Sequence, residues 1–203
     1  MSLDNIYMNF KKKIVVLVGV HGSGKTTVGM RLKNDGFDFF PEIGTAMRKK
    51  SNKSVCDSQI FFDKQVLSRE LERDCDEINM SKYPVIETWH IGNYAFALTR
   101  DSLISNYEAI IEKQLQKLYP LVIWLKIDDE TFLSRNNEKK IHPIESLDFY
   151  KRLEVNLEDI LFCYVYKKMI DLYICEEANY NLLRRRIISF LKMEEDRSGI
   201  RRV

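Results

Sequence analysis

The sequence predicts an α/β fold, a sheet of five parallel strands in a three-layer arrangement with helices on both faces. Three observations carry this. Strand-like runs recur five times, each followed by a stretch of helical periodicity, and that alternation specifies a parallel sheet. The first run, Ile14-Val15-Val16-Leu17-Val18, is continuous rather than alternating, as in a strand buried on both faces. It leads straight into Gly19-Val20-His21-Gly22-Ser23-Gly24-Lys25-Thr26 and then a helix, the strand–glycine loop–helix order of a phosphate-binding loop.

In such a loop the glycines let the backbone curl, so that successive N–H groups ring an anion at a helix N-terminus. Gly19, His21, Gly22, Ser23, Gly24, Lys25, Thr26 and Thr27 are the candidate nucleotide-binding residues. Lys25 would bridge the β- and γ-phosphates of ATP, and the Thr26 hydroxyl would ligate Mg²⁺. Lys25 is expected to be an exposed loop lysine that contributes little to packing. The bland alternative, a glycine-rich turn with a surface lysine, is disfavoured by the flanking strand and helix.

The remaining elements follow in order. Residues 1–12 read as a frayed lead-in to the first strand. Asn34-Asp35-Gly36 stops the first helix, with Gly36 as the left-handed cap. Phe37 to Phe40 is a short second strand ended by Pro41, which puts Glu42 just beyond a strand's C-terminal end, the edge where open α/β sheets bind ligands. Glu42 could accept an acceptor hydroxyl's proton, orient the acceptor, or be a solvated loop carboxylate. Residues 58–79 read as helix, with Ile60, Phe61, Gln65, Val66, Leu71 and Ile78 on the apolar spacing. Tyr83-Pro84-Val85-Ile86 is the third strand. Glu87 at its end could hold Mg²⁺ through water or be an ordinary strand-end cap.

Helices are expected over residues 90–100 and 103–118. Trp89, Tyr94 and Phe96 could stack on a base or be core. Residues 120–127 make the fourth strand. Asp128 after it imitates a metal-binding acid, but Asp128-Asp129 is also explained as a helix cap. Residues 135–143 are polar and basic and read as a mobile loop. Helix returns over 144–166, a fifth strand covers 170–175, and a last helix 179–192. The charged tail from Met193 is expected to be disordered.

Composition suits one soluble domain over residues 1–203, with 45% hydrophobic and 31% charged residues. A net charge of +2 gives no argument for nucleic acid or membrane partners. Nothing resembles a secretory signal, and Cys56, Cys75, Cys163 and Cys175 include no C-x-x-C pair, as expected of reduced thiols in a cytoplasmic protein. His21, His90 and His142 show no metal-ligand spacing. Arg184-Arg185-Arg186 reads as a solvated helix face. A homodimer stays open.

Several stretches together resemble the thymidylate kinases and deoxynucleoside kinases. Pro41-Glu42-Ile43-Gly44-Thr45 with Arg48 is similar to the glutamate-containing stretch after strand two of thymidylate kinases, where glutamate and arginine lie near the acceptor. Phe62-Asp63-Lys64-Gln65-Val66-Leu67-Ser68-Arg69 is similar to the deoxynucleoside-kinase helix whose glutamine meets the base. Glu87 stands where both families place an acid, and Arg135 with the loop to Pro143 resembles their phosphate-closing lid. The resemblance implies a P-loop fold with strand order 2-3-1-4-5 and a short lid over 135–143. It also implies γ-phosphoryl transfer from ATP to a nucleoside, nucleoside monophosphate or similar small acceptor. Lys25, Glu42, Glu87 and Arg135 would be catalytic, Glu42, Arg48, Gln65, Trp89 and Arg100 acceptor-side, and Thr26 and Glu87 metal-side. Two positions depart from the families: Thr88 replaces the arginine that usually follows the strand-three acid, and Ile43 replaces a proline. The first departure leaves a rival class, a nucleotide-dependent switch or regulatory ATPase without a small-molecule acceptor.

Overall fold

Five strands pair in the order β2-β3-β1-β4-β5, all parallel, as the sequence predicts. They are β1 (Lys12–Val18), β2 (Asp38–Phe40), β3 (Pro84–Glu87), β4 (Leu118–Leu125) and β5 (Asp171–Cys175). The structure, a computed structural model, describes residues 11–51, 60–102, 104–138, 147–176 and 179–199. Its helices among those residues are α1 (Lys25–Asn34), α2 (Ile43–Ser51), α3 (Ile60–Arg73), α4 (Trp89–Thr99), α5 (Tyr107–Lys117), α6 (Asp129–Glu138), α7 (Leu147–Tyr166) and α8 (Tyr180–Gly199). A π-helical turn, Asp74–Ile78, extends α3.

Strand β1 sits at the centre and shows why the sheet needs cover on both faces. Ile14, Val16 and Val18 point into one core with Trp89, Ile91, Ile111, Leu153 and Leu157 from α4, α5 and α7. Val15 and Leu17 point into the other, with Val28 and Leu32 of α1 and Leu183 and Ile187 of α8. This is the period of two expected of a strand with no solvent face. The register sets Leu17 beside Glu87, so the end of β3 lies level with the start of the glycine loop.

The lead-in is tied down rather than frayed from Lys11 onward. Lys11 Nζ donates to Leu115 O at 2.7 Å, Lys12 Nζ to Asn79 O and Ser81 O at 2.7 Å, and Lys13 Nζ to Phe190 O at 3.1 Å. Two of these acceptors belong to helix ends that point to the base of the sheet, where unpaired carbonyls favour cations. Residues 1–10 lie outside the described residues. The tail also differs from expectation, since α8 continues through the charged residues to Gly199. Lys192 to Arg197 contains no glycine or proline to stop it, and such side chains are sound helix formers.

Helix α3 presents another face than the apolar spacing suggested. Phe62, Asp63, Val66, Leu67, Glu70, Arg73 and Asp74 are buried, while Ile60, Phe61 and Gln65 are exposed. No helix among the described residues is long and apolar enough to cross a membrane.

Candidate active site

The glycine loop closes as its sequence requires. Gly19 takes φ 142°, and a Cβ there would lie 2.4 Å from Leu125 O, so only glycine lets the loop pass the end of β4. Gly24 takes φ 95° as the cap of α1, a left-handed conformation that L side chains disfavour. Ser23 N donates to Val20 O at 3.2 Å and turns the loop on itself.

Lys25 is not the exposed lysine expected. It is 5% exposed, and its ammonium donates to Gly19 O at 2.9 Å and Val20 O at 3.0 Å. The stem is packed and the charged head lies over the loop. Thr26 Oγ1 donates to Glu87 Oε1 at 2.8 Å, bringing together the two candidate metal-side residues. Arg135 belongs to α6, not to a loop, and donates from Nη1 to Gly22 O at 2.8 Å. Helix α6 reaches Glu138, and the rest of the predicted lid lies outside the described residues. Thr27 is exposed in the first turn of α1.

Across from the loop, Glu42 forms a buried ion pair with Arg48, with Nη2 to Oε1 at 2.8 Å. The unanticipated helix α2 begins directly after Glu42 and carries Arg48, whose long side chain reaches back to it. Burial by itself would raise the Glu42 carboxyl, but Arg48, Lys25 and His21 together hold it below the usual carboxylate range. Glu87 goes the other way. Burial raises it, Lys25 offsets part of that, and the neighbouring Glu42 charge raises it again. Two carboxylates facing one loop are thus driven apart in acidity.

Thr88 follows Glu87 with φ 71° and ψ −56°, and Trp89 with φ 49°. For a β-branched residue this is a strained turn, worth on the order of 1–3 kcal/mol. Its N–H donates to Leu17 O at 2.8 Å, and its hydroxyl lies 3.4 Å from Glu42 Oε2. Thr88 therefore stands in contact with Glu42, the acid expected on the acceptor side.

Behind Glu42 and Arg48 lies a buried polar layer between α3 and α4. Arg100 Nη2 meets Asp63 Oδ1 at 2.5 Å, and Ser102 donates to the other Asp63 oxygen. Arg73 pairs with Glu70 and reaches Pro41 O at 2.9 Å, while Asn93 donates to Glu70 at 3.1 Å. The Tyr107 hydroxyl is buried there without a partner among the described residues, and its pKa is pushed up by burial and by Glu70 and Asp63. Arg100 joins this layer. Gln65, expected beside it, faces solvent instead, two residues along the helix from the inward Asp63. Trp89 is wholly buried, with its ring edge-on to His90 at 4.9 Å and its N–H on Asp74, so it offers no face for a base. Asp63, Glu70, Arg73, Asn93 and Ser102 were not foreseen. Their signal was charge recurring at positions 63, 70 and 74, a helical spacing that is easily read as an outer face.

The loop fits a triphosphate. Ser23 Oγ is buried with no hydrogen-bond partner among the described residues, an orphan that a phosphate oxygen would satisfy. Among the described residues no three His, Cys, Asp or Glu side chains converge on a metal position. A Mg²⁺ ion would therefore rest on Thr26 and Glu87 together with phosphate oxygens, the sparse protein ligation this ion usually has.

Strand order and phosphate loop together define a P-loop nucleotide-binding α/β fold. The chain belongs to the AAA domain family, whose model matches residues 14–168. The fold is shared with a deoxyadenosine kinase from M. mycoides with products dCMP and dCDP bound, at a TM-score of 0.63 and 14% identity, covering 87% of this chain and 99% of that one. A NadR protein in complex with NR superposes with a TM-score of 0.67 at 14% identity, over 92% of this chain and 53% of that one. Thymidylate kinase from Candida albicans gives a TM-score of 0.55 at 9% identity, over 91% of this chain and 93% of that one. No curated protein matches the sequence significantly.

Proposed function

We propose that this protein transfers the γ-phosphoryl of ATP to a hydroxyl of a nucleoside, nucleoside monophosphate or similar small acceptor. The observation that carries the proposal is the opposed pair of buried carboxylates at the loop, Glu87 on Thr26 and Glu42 on Arg48. They adjoin a polar layer sunk between helices that a nucleotide switch does not need. Similarity of fold to a deoxyadenosine kinase and a thymidylate kinase supports the same reading.

The acceptor oxygen would form a bond to the γ-phosphorus as the bond to the β,γ-bridging oxygen breaks, its electron pair leaving with ADP. Because such transition states are loose, the hydroxyl keeps its proton until late, and a carboxylate of low basicity suffices to orient and then take it. Glu42, held anionic, suits that task. Lys25 and the loop N–H groups would stabilise charge on the transferring group, and Arg135, already over Gly22, would close on it. A Mg²⁺ ion, when bound on Thr26 and Glu87, would neutralise charge on the β- and γ-phosphates.

Charge balance weighs between acceptors. Arg48, Arg73 and Arg100 each already face a carboxylate, respectively Glu42, Glu70 and Asp63. A monophosphate would bring two further negative charges to a layer whose described cations are committed, so an uncharged acceptor such as a nucleoside is favoured. The switch reading retains one supporting observation, the threonine contact to Glu42 where the related kinases have arginine.

The test is ADP formation across a panel of nucleosides, nucleoside monophosphates and NR. Turnover should rise clearly with an uncharged acceptor. ATP binding with turnover indifferent to every member of the panel would favour the switch. As a second test, Glu42→Gln should lower kcat about 10²-fold or more, the usual span for a lost proton acceptor, while ATP affinity stays near wild type. A variant that loses ATP affinity but keeps kcat would move Glu42 to the donor side.

A further inference from the structure

The strained turn after β3 has a dedicated support outside the site. The π-helical turn at the end of α3 begins with Asp74, which is 3% exposed. Its Oδ1 accepts from Trp89 Nε1 at 2.9 Å, and its Oδ2 lies 2.7 Å from His90 Nε2. One carboxylate thus grips two consecutive side chains, both wholly buried, directly after Glu87-Thr88. Among the described residues His90 Nδ1 has no partner, so the Asp74 carboxylate is the one hydrogen-bonding anchor they give the imidazole.

The backbone these side chains belong to would not hold its shape unaided. Thr88 and Trp89 are adjacent non-glycine residues, both at positive φ. Such conformations persist where surrounding structure over-determines them. Gly92 provides the space beneath, since a Cβ there would lie 2.7 Å from the Thr88 methyl. Relaxing the turn would move Thr88 off Leu17 O and Glu42, and would swing Glu87 away from Thr26. Filling the core does not require a carboxylate at position 74. Burying an acid costs desolvation that an apolar side chain would not, and π-helical turns are frequent at functional sites.

We infer that Asp74 is a positioning residue: through Trp89 and His90 it clamps the left-handed turn at Thr88-Trp89 and so fixes where Glu87 and Thr88 stand against the phosphate loop. The kinetic part of this inference rests on the proposed phosphoryl transfer, while the geometric part does not.

The experiment pairs Asp74→Asn with Trp89→Phe, which keeps a ring but removes the indole donor, so that one variant serves if the other does not fold. Side-chain carboxyl ¹³C resonances, with Glu87 assigned through Glu87→Gln, report the geometry without any turnover. In both variants the Glu87 resonance should shift, and in Asp74→Asn the Trp89 indole N–H resonance should move while that of Trp124 stays. Acceptor-dependent kcat should fall about tenfold or more in each, with affinity for a nonhydrolysable ATP analogue within about twofold of wild type. The double variant should be no slower than the worse single one, because both break the same link. Ile111→Val, a core change in α5 that leaves Asp74, Trp89 and His90 in place, is the control for mere destabilisation. An unmoved Glu87 resonance, or a kcat loss no larger than that of Ile111→Val at matched loss of thermal stability, overturns the inference. If the wild type turns over no acceptor, the proposed function fails, and the Glu87 resonance still decides the clamp.

Discussion

Lys25→Met is expected to lower phosphoryl transfer by a factor on the order of 10³ or more, in a protein that still folds. A charge aimed at the transferring group in a water-poor site is worth far more than one in solvent, and losing a single such donor typically costs about 10² to 10³ in kcat. Lys25 should sit above that range because it serves two phosphates and carries a full charge. Burial changes how the experiment must be done. The ammonium holds Gly19 O and Val20 O, so truncation to alanine would leave those carbonyls without this donor and the stem's volume empty. Stability should fall by about 1–3 kcal/mol in the alanine variant and by less in the methionine variant, which keeps the stem. Thermal unfolding alongside steady-state turnover separates the two effects. Wild-type turnover in a purified Lys25→Met protein would falsify the assignment of this loop to catalysis.

The sequence made the sheet and the loop legible because both are written in side chains with few alternative uses. A continuous run such as Ile14 to Val18 has no solvent face to offer, and Gly19 and Gly24 occupy conformations that other residues resist. Glu42 and Glu87 were singled out by position, at or just past strand ends, and Arg48 through the resemblance to thymidylate kinases; the structure brings Glu42 and Arg48 into contact. What was not legible was which face of α3 turns inward. Asp63, Glu70, Arg73 and Asp74 carry charge, so periodicity alone assigned them to solvent and gave the inner place to Phe61 and Gln65. Only the partners Arg100, Asn93 and His90, from 16 to 37 residues away in sequence, make burial of those charges tolerable. Trp89 had two readings, stacking face or core, and its complete burial gives core. An aromatic beside a candidate site suggests a stacking face, but its indole N–H is occupied by Asp74 within the core.

The Asp63–Arg100 pair should produce the largest stability change of any single substitution considered. Its side chains are 6% and 4% exposed, and Ser102 also donates to the carboxylate. Asp63→Ala removes the acid and leaves the guanidinium buried, a change that typically costs about 3–5 kcal/mol. Urea unfolding should register it as a lower midpoint with little change in slope. Replacing both partners with apolar side chains of similar volume, Asp63→Leu with Arg100→Met, removes the stranded charge, so most of that stability should return. Stability is then no reason to retain the pair, and function becomes the discriminating readout. If the layer binds the acceptor, the double variant should be stable yet show an acceptor KM raised tenfold or more, with ATP affinity close to wild type. Glu42, held through Arg48 rather than through Asp63, should keep its place, so kcat at saturating acceptor should fall less than kcat/KM. A stable double variant with wild-type acceptor kinetics would instead make Asp63 and Arg100 a structural pair and move the acceptor site away from the α3–α4 layer.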